Sequence, residues 1–394
     1  MHVMGMGKPF WMVCVTHMFL EIYLLIQVAL IPVYMVEFQL NLLEASLVPT
    51  IQSLIGLLMN IPSGFLAGRF NAKYLLFTSM AIEGLAALLL SQTNSFWVLL
   101  FGVAVMQISS PIYHISGLSQ ISRLVKQEQI SRSMGFHNAL GSLGSGIGAI
   151  SLTVFLSTIG WRWTYLFWAV PILTWGFILL RSSQLETGKI EKRKNEEGGK
   201  LSRLSFVSSF VFLIFLVAIA IREVGITGTS TFMTTYLVNT RGVSKATASF
   251  IFGLGPIIGI LGSLNGGYLG ERIGAKRALS LAILGCAISI LFLALSSHLY
   301  LLTLIYLLYS FFNNSVWTPM NAIVANITPV ADRGFGYSVY FITVGLMNSI
   351  TPTVAAAVIQ FSDIWYIFPF SIIFVVTSLI ILQFLPYPRS NTPP

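Results

Sequence analysis

The sequence predicts an all-α integral membrane protein with twelve transmembrane helices, arranged as two pseudosymmetric six-helix bundles. Only 9% of its 394 residues are charged and 55% are hydrophobic, whereas a soluble domain carries roughly a quarter charged residues. Apolar runs of about 20 residues, the length that crosses a bilayer, follow one another along nearly the whole chain. Short motifs of the first half also recur in the second half, as a duplication requires.

The apolar runs place the twelve spans in chain order. They lie at residues 9–36, 45–67, 73–92, 95–121, 131–157, 161–181, 205–237, 246–269, 277–296, 299–327, 334–360 and 364–385. The start, Met1 to Lys8, leads directly into a span that is too long for a signal-peptide core, so we expect no cleavage.

The longest polar stretch separates the sixth span from the seventh. It carries Glu-Lys-Arg-Lys-Asn-Glu-Glu-Gly-Gly at 191–199, a composition typical of a solvated segment; a docking site is the less favoured alternative. We therefore predict an N-terminal six-helix bundle at 1–182, a cytoplasmic linker at 183–204 and a C-terminal six-helix bundle at 205–394.

The basic residues predict the orientation. If both termini are cytoplasmic, 18 of the 22 lysines and arginines fall on cytoplasmic segments, as the positive-inside rule requires. The net charge of +9 therefore reflects topology, and we expect a multi-pass protein of the cell membrane with no nucleic-acid partner. Cys14 and Cys286 both fall within apolar spans and offer no disulfide framework or zinc-ligand spacing.

Internal repetition supports the division into halves. Three separate places match at offsets of 201 to 203 positions: 64–73 with 267–276, 132–135 with 333–336, and Glu21 and Tyr34 with Glu223 and Tyr236. Duplicated halves of this kind place a substrate site near the bilayer midplane at their mutual interface, and rocking about that site gives alternating access.

The repeated loop motif resembles the signature loop of major facilitator superfamily transporters. The resemblance implies the major facilitator fold and a gating role on the cytoplasmic side for Gly64, Arg69, Lys73, Gly267, Glu271, Arg272, Gly274, Lys276 and Arg277. The first copy departs from the pattern, with Gly68 where an acid is usual and Asn71 where glycine is usual. In that family the acid caps a neighbouring helix N-terminus and helps to latch the cytoplasmic side, so the first-half latch is weakened.

Within the superfamily, the chain resembles the fosmidomycin-resistance-like and multidrug efflux branch. The motifs that carry this likeness are Thr16-His17 with Glu21, Glu37-Phe38 with Leu40, Tyr113-His114, the glycine run at 141–148, and Tyr236-Leu-Val with Gly242-Val-Ser244. Ile115 and Ser116 depart from the proline and the acid expected there. The glycine run also resembles an antiporter motif, although close helix packing would explain it equally well.

A few ionisable side chains fall within the spans, where a charge costs about 2.5 kcal/mol or more and therefore suggests function. They are His17, Glu21, Glu83, His114, His137, Arg222 and Glu223. His17 and Glu21 are four residues apart and share a helix face. Burial favours the neutral acid and a nearby cation favours the carboxylate, so Glu21 can bind and release a proton; a fixed hydrogen bond to His17 is the alternative.

The other ionisable groups allow several roles. Glu223 is the counterpart of Glu21, and Arg222 beside it points about 100° away, so the two need not pair. Arg222 could reach another carboxylate or an anionic substrate, or form a structural ion pair. His114 suits a proton relay or a packing role, and His137 is a weaker candidate. For Glu83 we favour a packing or lipid-facing role. A metal site has no supporting ligand spacing, so we expect none.

Neutral polar residues form a second group of candidates. Spans 1, 4, 7 and 10 line the cavity in the resembling fold, which implies substrate binding by Tyr23, Gln27, Tyr34, Gln107, Tyr113, Thr227, Thr231, Asn313, Asn314 and Trp317 together with Arg222. Aromatic walls with a few hydrogen-bonding groups suit an amphiphilic organic solute.

These observations predict a monomeric secondary active transporter in the lipid bilayer that exports a small amphiphilic or drug-like solute in exchange for protons. Glu21 is the first candidate for the proton carrier, with Glu223, His114 and His17 assisting. A proton-coupled importer of a nutrient or organic anion is one alternative, and a non-transporting scaffold or sensor is another. We expect no enzyme activity and no cofactor, since nucleotide-binding, nucleophile and metal motifs are absent from the sequence.

Overall fold

The computed structural model of the chain describes residues 7–125, 130–185, 209–328 and 333–386, and every regular element in those ranges is helical. Twelve stretches of them are long and apolar enough to cross a membrane, as predicted. The helices are α1 (Lys8–Ala29), α2 (Ile31–Glu37), α3 (Leu42–Arg69), α4 (Ala72–Ser91), α5 (Phe96–Leu124), α6 (Ile130–Thr158), α7 (Arg162–Arg181), α8 (Phe210–Asn239), α9 (Lys245–Ile273), α10 (Ala275–Leu295), α11 (Leu299–Ser315), α12 (Trp317–Ile327), α13 (Arg333–Ile359) and α14 (Ile367–Gln383).

Two of the predicted spans are interrupted rather than continuous. The first divides at Leu30 into α1 and α2, and the tenth divides at Val316 into α11 and α12. Pro32 and Pro319 lie in the first turn of the helix that follows each break. Proline has no N–H to donate to the preceding turn and its ring crowds that turn's carbonyl, so both breaks have a signal in the sequence.

The described helices form two compact units. The first unit holds α1 to α7 and the beginning of α9, and the second holds α8, the rest of α9 and α10 to α14. The predicted linker at 183–204 falls mostly on residues 186–208, outside the described ranges, so its extent stays a prediction.

In the first unit, α1 packs along α6, and α4 packs against both α5 and α7. The glycine run predicted for close packing lies on the α1–α6 contact. A Cβ built on Gly144 would lie 2.0 Å from the backbone oxygen of Met18, and one on Gly148 would lie 2.0 Å from that of Ile22. The backbones of the two helices therefore touch, which no residue larger than glycine permits.

We expect Gly148→Ala to destabilise the protein by about 3 kcal/mol, because the added methyl meets backbone rather than a movable side chain. Thermal unfolding of the detergent-solubilised protein measures the loss. Gly135 is the matched control in the same helix, since it is exposed and nothing lies within 4 Å of its built Cβ. Gly135→Ala should change stability by less than about 0.5 kcal/mol; equal losses in the two variants would contradict the packing argument.

In the second unit, α8 packs against α13 and α14, and α10 packs against α11 and α14. Glycines allow another close approach, between α9 and α11. A Cβ on Gly262 would lie 2.1 Å from the backbone oxygen of Phe311, and one on Gly266 would lie 2.0 Å from that of Ser315. In both units, therefore, glycines allow the backbones of neighbouring helices to approach closely.

Candidate functional site

In the first unit, two histidines converge on one carboxylate oxygen. The Nε2 atoms of His17, on α1, and of His114, on α5, each lie 3.4 Å from Oε1 of Glu21. Ser145, on α6, approaches the other carboxylate oxygen at 3.4 Å. The side chain of Glu21 is 14% exposed. The structure therefore brings together the three predicted proton-coupling residues of this half, and adds a serine that the sequence did not single out.

The hydrogen bonds of His17 define where a proton is needed. Its Nδ1 lies 2.9 Å from the backbone oxygen of His137, and because a carbonyl only accepts, Nδ1 carries a hydrogen. In a neutral ring, Nε2 is then an acceptor that faces the carboxylate of Glu21. A single proton is required between them, either on Nε2 as an imidazolium or on Glu21 as a carboxylic acid.

Aromatic packing holds the ring of His17 in this orientation. The ring stacks on His137, with centroids 3.9 Å apart, and on Tyr113, at 5.3 Å. Tyr113 donates its hydroxyl to the backbone oxygen of Val13 at 2.8 Å. A Cβ built on Gly141 would lie 2.3 Å from Cε1 of His17, so the absence of a side chain there gives the imidazole its space. His137 and Tyr113 are accordingly positioning residues for His17.

A cavity opens beside this cluster, within the first unit. It is lined by Leu20, Glu21, Tyr23, Leu24, Gln27, Gln52, Glu83, Met106, Gln107, Ser109 and Ser110. Glu21, Tyr23, Gln27 and Gln107 were predicted site residues. Gln52, Glu83 and the two serines were not among those predictions.

Glu83 corrects one expectation. Of the packing and lipid-facing roles expected for it, the lipid-facing one is wrong and interhelical packing is present, because Glu83 is 3% exposed and contacts the hydroxyl of Ser109 on α5. The reason is that α4 packs against both α5 and α7, which leaves this part of α4 inside the unit. Sequence periodicity did not predict which face of α4 lies inside the unit, because α4 is apolar around most of its circumference.

Two predicted tyrosines are committed to buried partners. Tyr23 donates to the backbone oxygen of Tyr165 at 2.8 Å, and the hydroxyl of Tyr34 lies 3.1 Å from that of Tyr165. Both side chains are at most 1% exposed. Tyr34 does not line the cavity, so its predicted contact with substrate stays a prediction, whereas its contact with α7 is present in the structure.

The second unit contains a buried ion pair. Arg222 donates through Nη1 to Oε1 of Glu223 and through Nη2 to Oδ1 of Asn313 on α11. The two charged side chains are 1% and 5% exposed. Of the alternatives that the sequence leaves open for Arg222, the structure shows the ion pair with Glu223: an angular separation of about 100° is bridged by the length and flexibility of both side chains.

The remaining candidates of the second unit lie around α8. Thr227 donates to Oδ1 of Asn348 on α13 at 2.7 Å, while Asn314 donates to the preceding turn of α11 at 2.9 Å. Thr231 is buried and Trp317 is partly exposed. These contacts tie α8 to α13 and stabilise α11, and a substrate role for the four predicted residues stays a prediction.

In the second-half loop motif, glycine and lysine have local structural roles. Gly274 has φ of 88°, a conformation that side-chain-bearing residues rarely adopt. Lys276 donates to the backbone oxygens of Gln383 and Leu385 at 2.8 Å and 2.7 Å, and so satisfies carbonyls at the C-terminus of α14. Lys276 therefore anchors the last helix within its own unit.

The first-half copy achieves the same turn differently. Asn71 has φ of −66° and accepts a hydrogen bond from the backbone N–H of Lys73 at 3.0 Å, which caps α4. An asparagine side chain at this position needs no left-handed backbone, and this explains the departure from glycine. Gating by either copy stays a prediction.

The other residues of the motif lie at the surface of their units. The guanidinium of Arg272 lies 5.0 Å from the ring centroid of Tyr268. Side chains that are exposed in the described structure are Arg69, Glu271, Arg272 and Arg277. Gly64 has no atom near its built Cβ, and Gly267 has one at 3.6 Å, so neither glycine is required by packing within its unit.

We expect Gly274→Ala to cost about 1–3 kcal/mol, because φ of 88° with ψ of 147° is a backbone conformation that is essentially restricted to glycine. Gly270, one turn earlier in α9 and with nothing within 4 Å of its built Cβ, is the matched control. Gly270→Ala should be neutral or slightly stabilising, because alanine favours a helix interior over glycine. Unfolding midpoints of the two variants test this, and a silent Gly274→Ala would refute the backbone argument.

A divalent metal ion would find three potential ligands in the first unit. One ligand atom from each of His17, Glu21 and His114 lies within 4.8 Å of the other two. The sequence contained no spacing signal for this set because His114 belongs to a different helix. The expectation of no metal stays a prediction.

The chain matches one protein family and is similar to curated transporters. The family model described as Major Facilitator Superfamily matches residues 12–270 and 215–394. A probable nitrate transporter NarT from Staphylococcus haemolyticus is 21% identical over 278 residues, which are 70% of this chain and 70% of that protein. The NarT of Staphylococcus epidermidis is 22% identical over 264 residues, 66% of each chain.

Solved structures share the fold across nearly the whole chain. The nucleoside transporter NupG matches with a TM-score of 0.81 at 13% identity, covering 96% of this chain and 100% of that one. A bacterial homologue of the human lysosomal transporter Spinster, inward-facing and occupied, has a TM-score of 0.79 at 14% identity, with 96% and 97% covered. The peptide transporter POT has a TM-score of 0.78 at 16% identity, with 97% and 95% covered.

Proposed function

We propose that this chain, which belongs to the Major Facilitator Superfamily and is a secondary transporter rather than an enzyme, couples movement of its substrate to protons bound at Glu21. The observation that carries the proposal is the convergence of His17 and His114 on one oxygen of Glu21. Because His17 already donates through Nδ1, the contact between its Nε2 and Glu21 needs one proton, and the cluster holds this proton in one state of the cycle and releases it in the other.

Proton binding at this cluster changes the charge beside the cavity by one unit. With both histidines neutral and Glu21 ionised, the cavity presents a carboxylate. With a proton on the cluster, that charge is cancelled. A cationic amphiphile and a proton therefore compete for the same group, and two ligands that exclude each other are exchanged rather than carried together.

We propose that the substrate is a small amphiphilic or drug-like solute and that the direction is export. The cavity wall combines apolar side chains, such as Leu20 and Met106, with the neutral amides of Gln52 and Gln107. No lysine or arginine lines the cavity in the part of the chain that the structure describes. Carboxyls and neutral amides without a basic side chain favour a cationic or neutral polar group over an inorganic anion on electrostatic grounds.

Anion uptake is the second candidate function, and the names of the relatives favour it. Proteins described as nitrate transporters align with about two thirds of this chain. Arg222 would then be the anion contact predicted from sequence, after release from Glu223. Under this alternative, protons and anions would move in the same direction.

Transport by the purified protein in vesicles separates the two candidates. Thermal-shift screening against tetraphenylphosphonium, fosmidomycin and nitrate, in acidic and in neutral buffer, first identifies binders, since a ligand of the folded state raises its stability. The binder is then tested in inverted and right-side-out vesicles with an imposed pH gradient. Accumulation of tetraphenylphosphonium or fosmidomycin in inverted vesicles supports export. Nitrate accumulation in right-side-out vesicles supports uptake, and flux that is independent of the gradient would overturn proton coupling.

A further inference from the structure

Glu83 is a second carboxyl group on the cavity that contains Glu21, and the proton cluster described above does not use it. It lies on α4 and is 3% exposed. The titratable groups that act on it electrostatically are Glu21 and Tyr23 on α1 and Tyr165 on α7. None of these is a cation. Within the described ranges, no lysine, arginine or histidine lies at ion-pair distance from Glu83.

Hydrogen-bond counting indicates which form of Glu83 is present. The hydroxyl oxygen of Ser109 contacts Oε2 of Glu83 and also lies 2.6 Å from the backbone oxygen of Met106. A serine hydroxyl has one hydrogen to donate, and a carbonyl cannot donate. If Ser109 donates to Met106, the other contact needs a hydrogen from Glu83. A carboxylic acid satisfies both contacts, whereas a buried carboxylate without a cation would be costly.

The two carboxyls of the cavity thus differ in their surroundings. Glu21 has two imidazoles that can neutralise its charge, while Glu83 has one hydroxyl. Two carboxylates that act on each other in a poorly solvated place do not both ionise readily, and they lose their protons in sequence. Loss of the proton from one group therefore holds the proton on the other.

We propose that Glu83 is a second proton-carrying carboxyl of the transport cycle, which holds its proton while Glu21 is ionised and releases it after Glu21 has been neutralised. This rests on the proposed function of Glu21. On release, the proton passes from the carboxyl of Glu83 to water in the cavity. The hydroxyl of Ser109 then turns its hydrogen from the carbonyl of Met106 to the new carboxylate, so that one donor remains on Glu83. Ser109 is a positioning residue in this step.

Infrared difference spectroscopy of the full-length purified protein tests the proposal without a substrate. Spectra taken at stepwise increasing pH should lose the carbonyl-stretch bands of two buried carboxylic acids one after the other, that of Glu21 first and that of Glu83 at higher pH. Glu83→Gln should abolish one of these bands and Glu21→Gln the other. Glu44→Gln is the control: this exposed carboxyl belongs to a capping box at the start of α3, and glutamine serves in the same motif, so both buried bands should persist.

The outcomes distinguish this inference from the proposed function. If Glu83→Gln leaves the difference spectrum unchanged while Glu21→Gln removes a band, Glu83 is a static interhelical contact and the inference is wrong. If Glu21→Gln leaves the spectrum unchanged, the proton function of Glu21 fails instead. In proteoliposomes, Glu83→Gln should lower the number of protons exchanged per tetraphenylphosphonium by one. Glu83→Asp should restore the titrating band, which a purely structural role does not require.

Discussion

Replacing Glu21 with glutamine should reduce proton-driven transport to the level of protein-free vesicles while leaving the protein folded. Glutamine keeps the shape of the side chain but cannot carry the shared proton, so His17 and His114 lose the acid that both of them face. The loss of one charge-assisted contact costs about 1–3 kcal/mol. Downhill counterflow of substrate, which needs no proton movement, should survive. Initial rates measured with and without a pH gradient give the comparison.

Glu37→Gln is the matched control for that experiment. Glu37 is the last residue of α2. Its carboxylate accepts hydrogen bonds from Arg162 at 2.5 Å and from Trp161 at 2.6 Å, and its side chain is 31% exposed. Removal of this partly exposed pair should cost about 1 kcal/mol or less and leave coupling intact. If transport by Glu21→Gln depends on the pH gradient as strongly as transport by the wild type does, the assignment of the transported proton to Glu21 is wrong. Full inhibition by a chelator, reversed by zinc, would indicate a metal at the three-ligand cluster instead.

Glu223→Ala should be strongly destabilising, by about 3–5 kcal/mol, because it leaves a buried guanidinium without its counter-ion. Arg222 is 1% exposed, and its Nε atom already has no hydrogen-bond partner among the described residues. Asn313 still accepts from it, but a neutral amide does not offset the charge. Unfolding midpoints of the solubilised protein measure the loss.

The double variant Arg222→Met/Glu223→Leu provides the decisive comparison. Removal of both charges should restore most of the lost stability, since a buried ion pair is often replaced by apolar side chains at little cost. Ser230→Ala, on the same helix, removes only the contact to the hydroxyl of Tyr309 at 3.1 Å and should cost about 1 kcal/mol. A double variant that is no more stable than Glu223→Ala would show that the loss has another origin. Increased nitrate binding by Glu223→Gln would favour anion uptake.

The sequence predicted the parts of this structure that depend on local pattern. Hydropathy located all twelve spans because the bilayer sets their length. The i, i+4 spacing correctly placed His17 beside Glu21, and the glycines at 144 and 148 predicted the close contact of α6. The continuous spans predicted at 9–36 and 299–327 missed the breaks beside Pro32 and Pro319, because a hydropathy window averages over them. Each of these signals lies within a few residues of the feature that it describes.

Features that depend on helix rotation and side-chain reach were not predictable in this way. Glu83 and Gln52 line the cavity only because of how α4 and α3 are turned about their axes, and helices that are apolar on most sides do not encode that angle. The stacking of His137 on His17 joins residues 120 positions apart. The pairing of Arg222 with Glu223 depended on side-chain conformation, which the angular separation of their backbones does not determine.

The glycine at 141 has a consequence for how this chain can diversify. Its missing side chain provides room for the His17 imidazole, and it lies in the same run as the glycines that bring α1 and α6 together. The glycine run at 141–148 therefore determines both the spacing between α1 and α6 and the room for the His17 imidazole. Substitutions in this run that are selected for thermal stability would also disturb the acid–base cluster at His17. Libraries for thermostabilisation are therefore better directed at exposed sites such as Gly135.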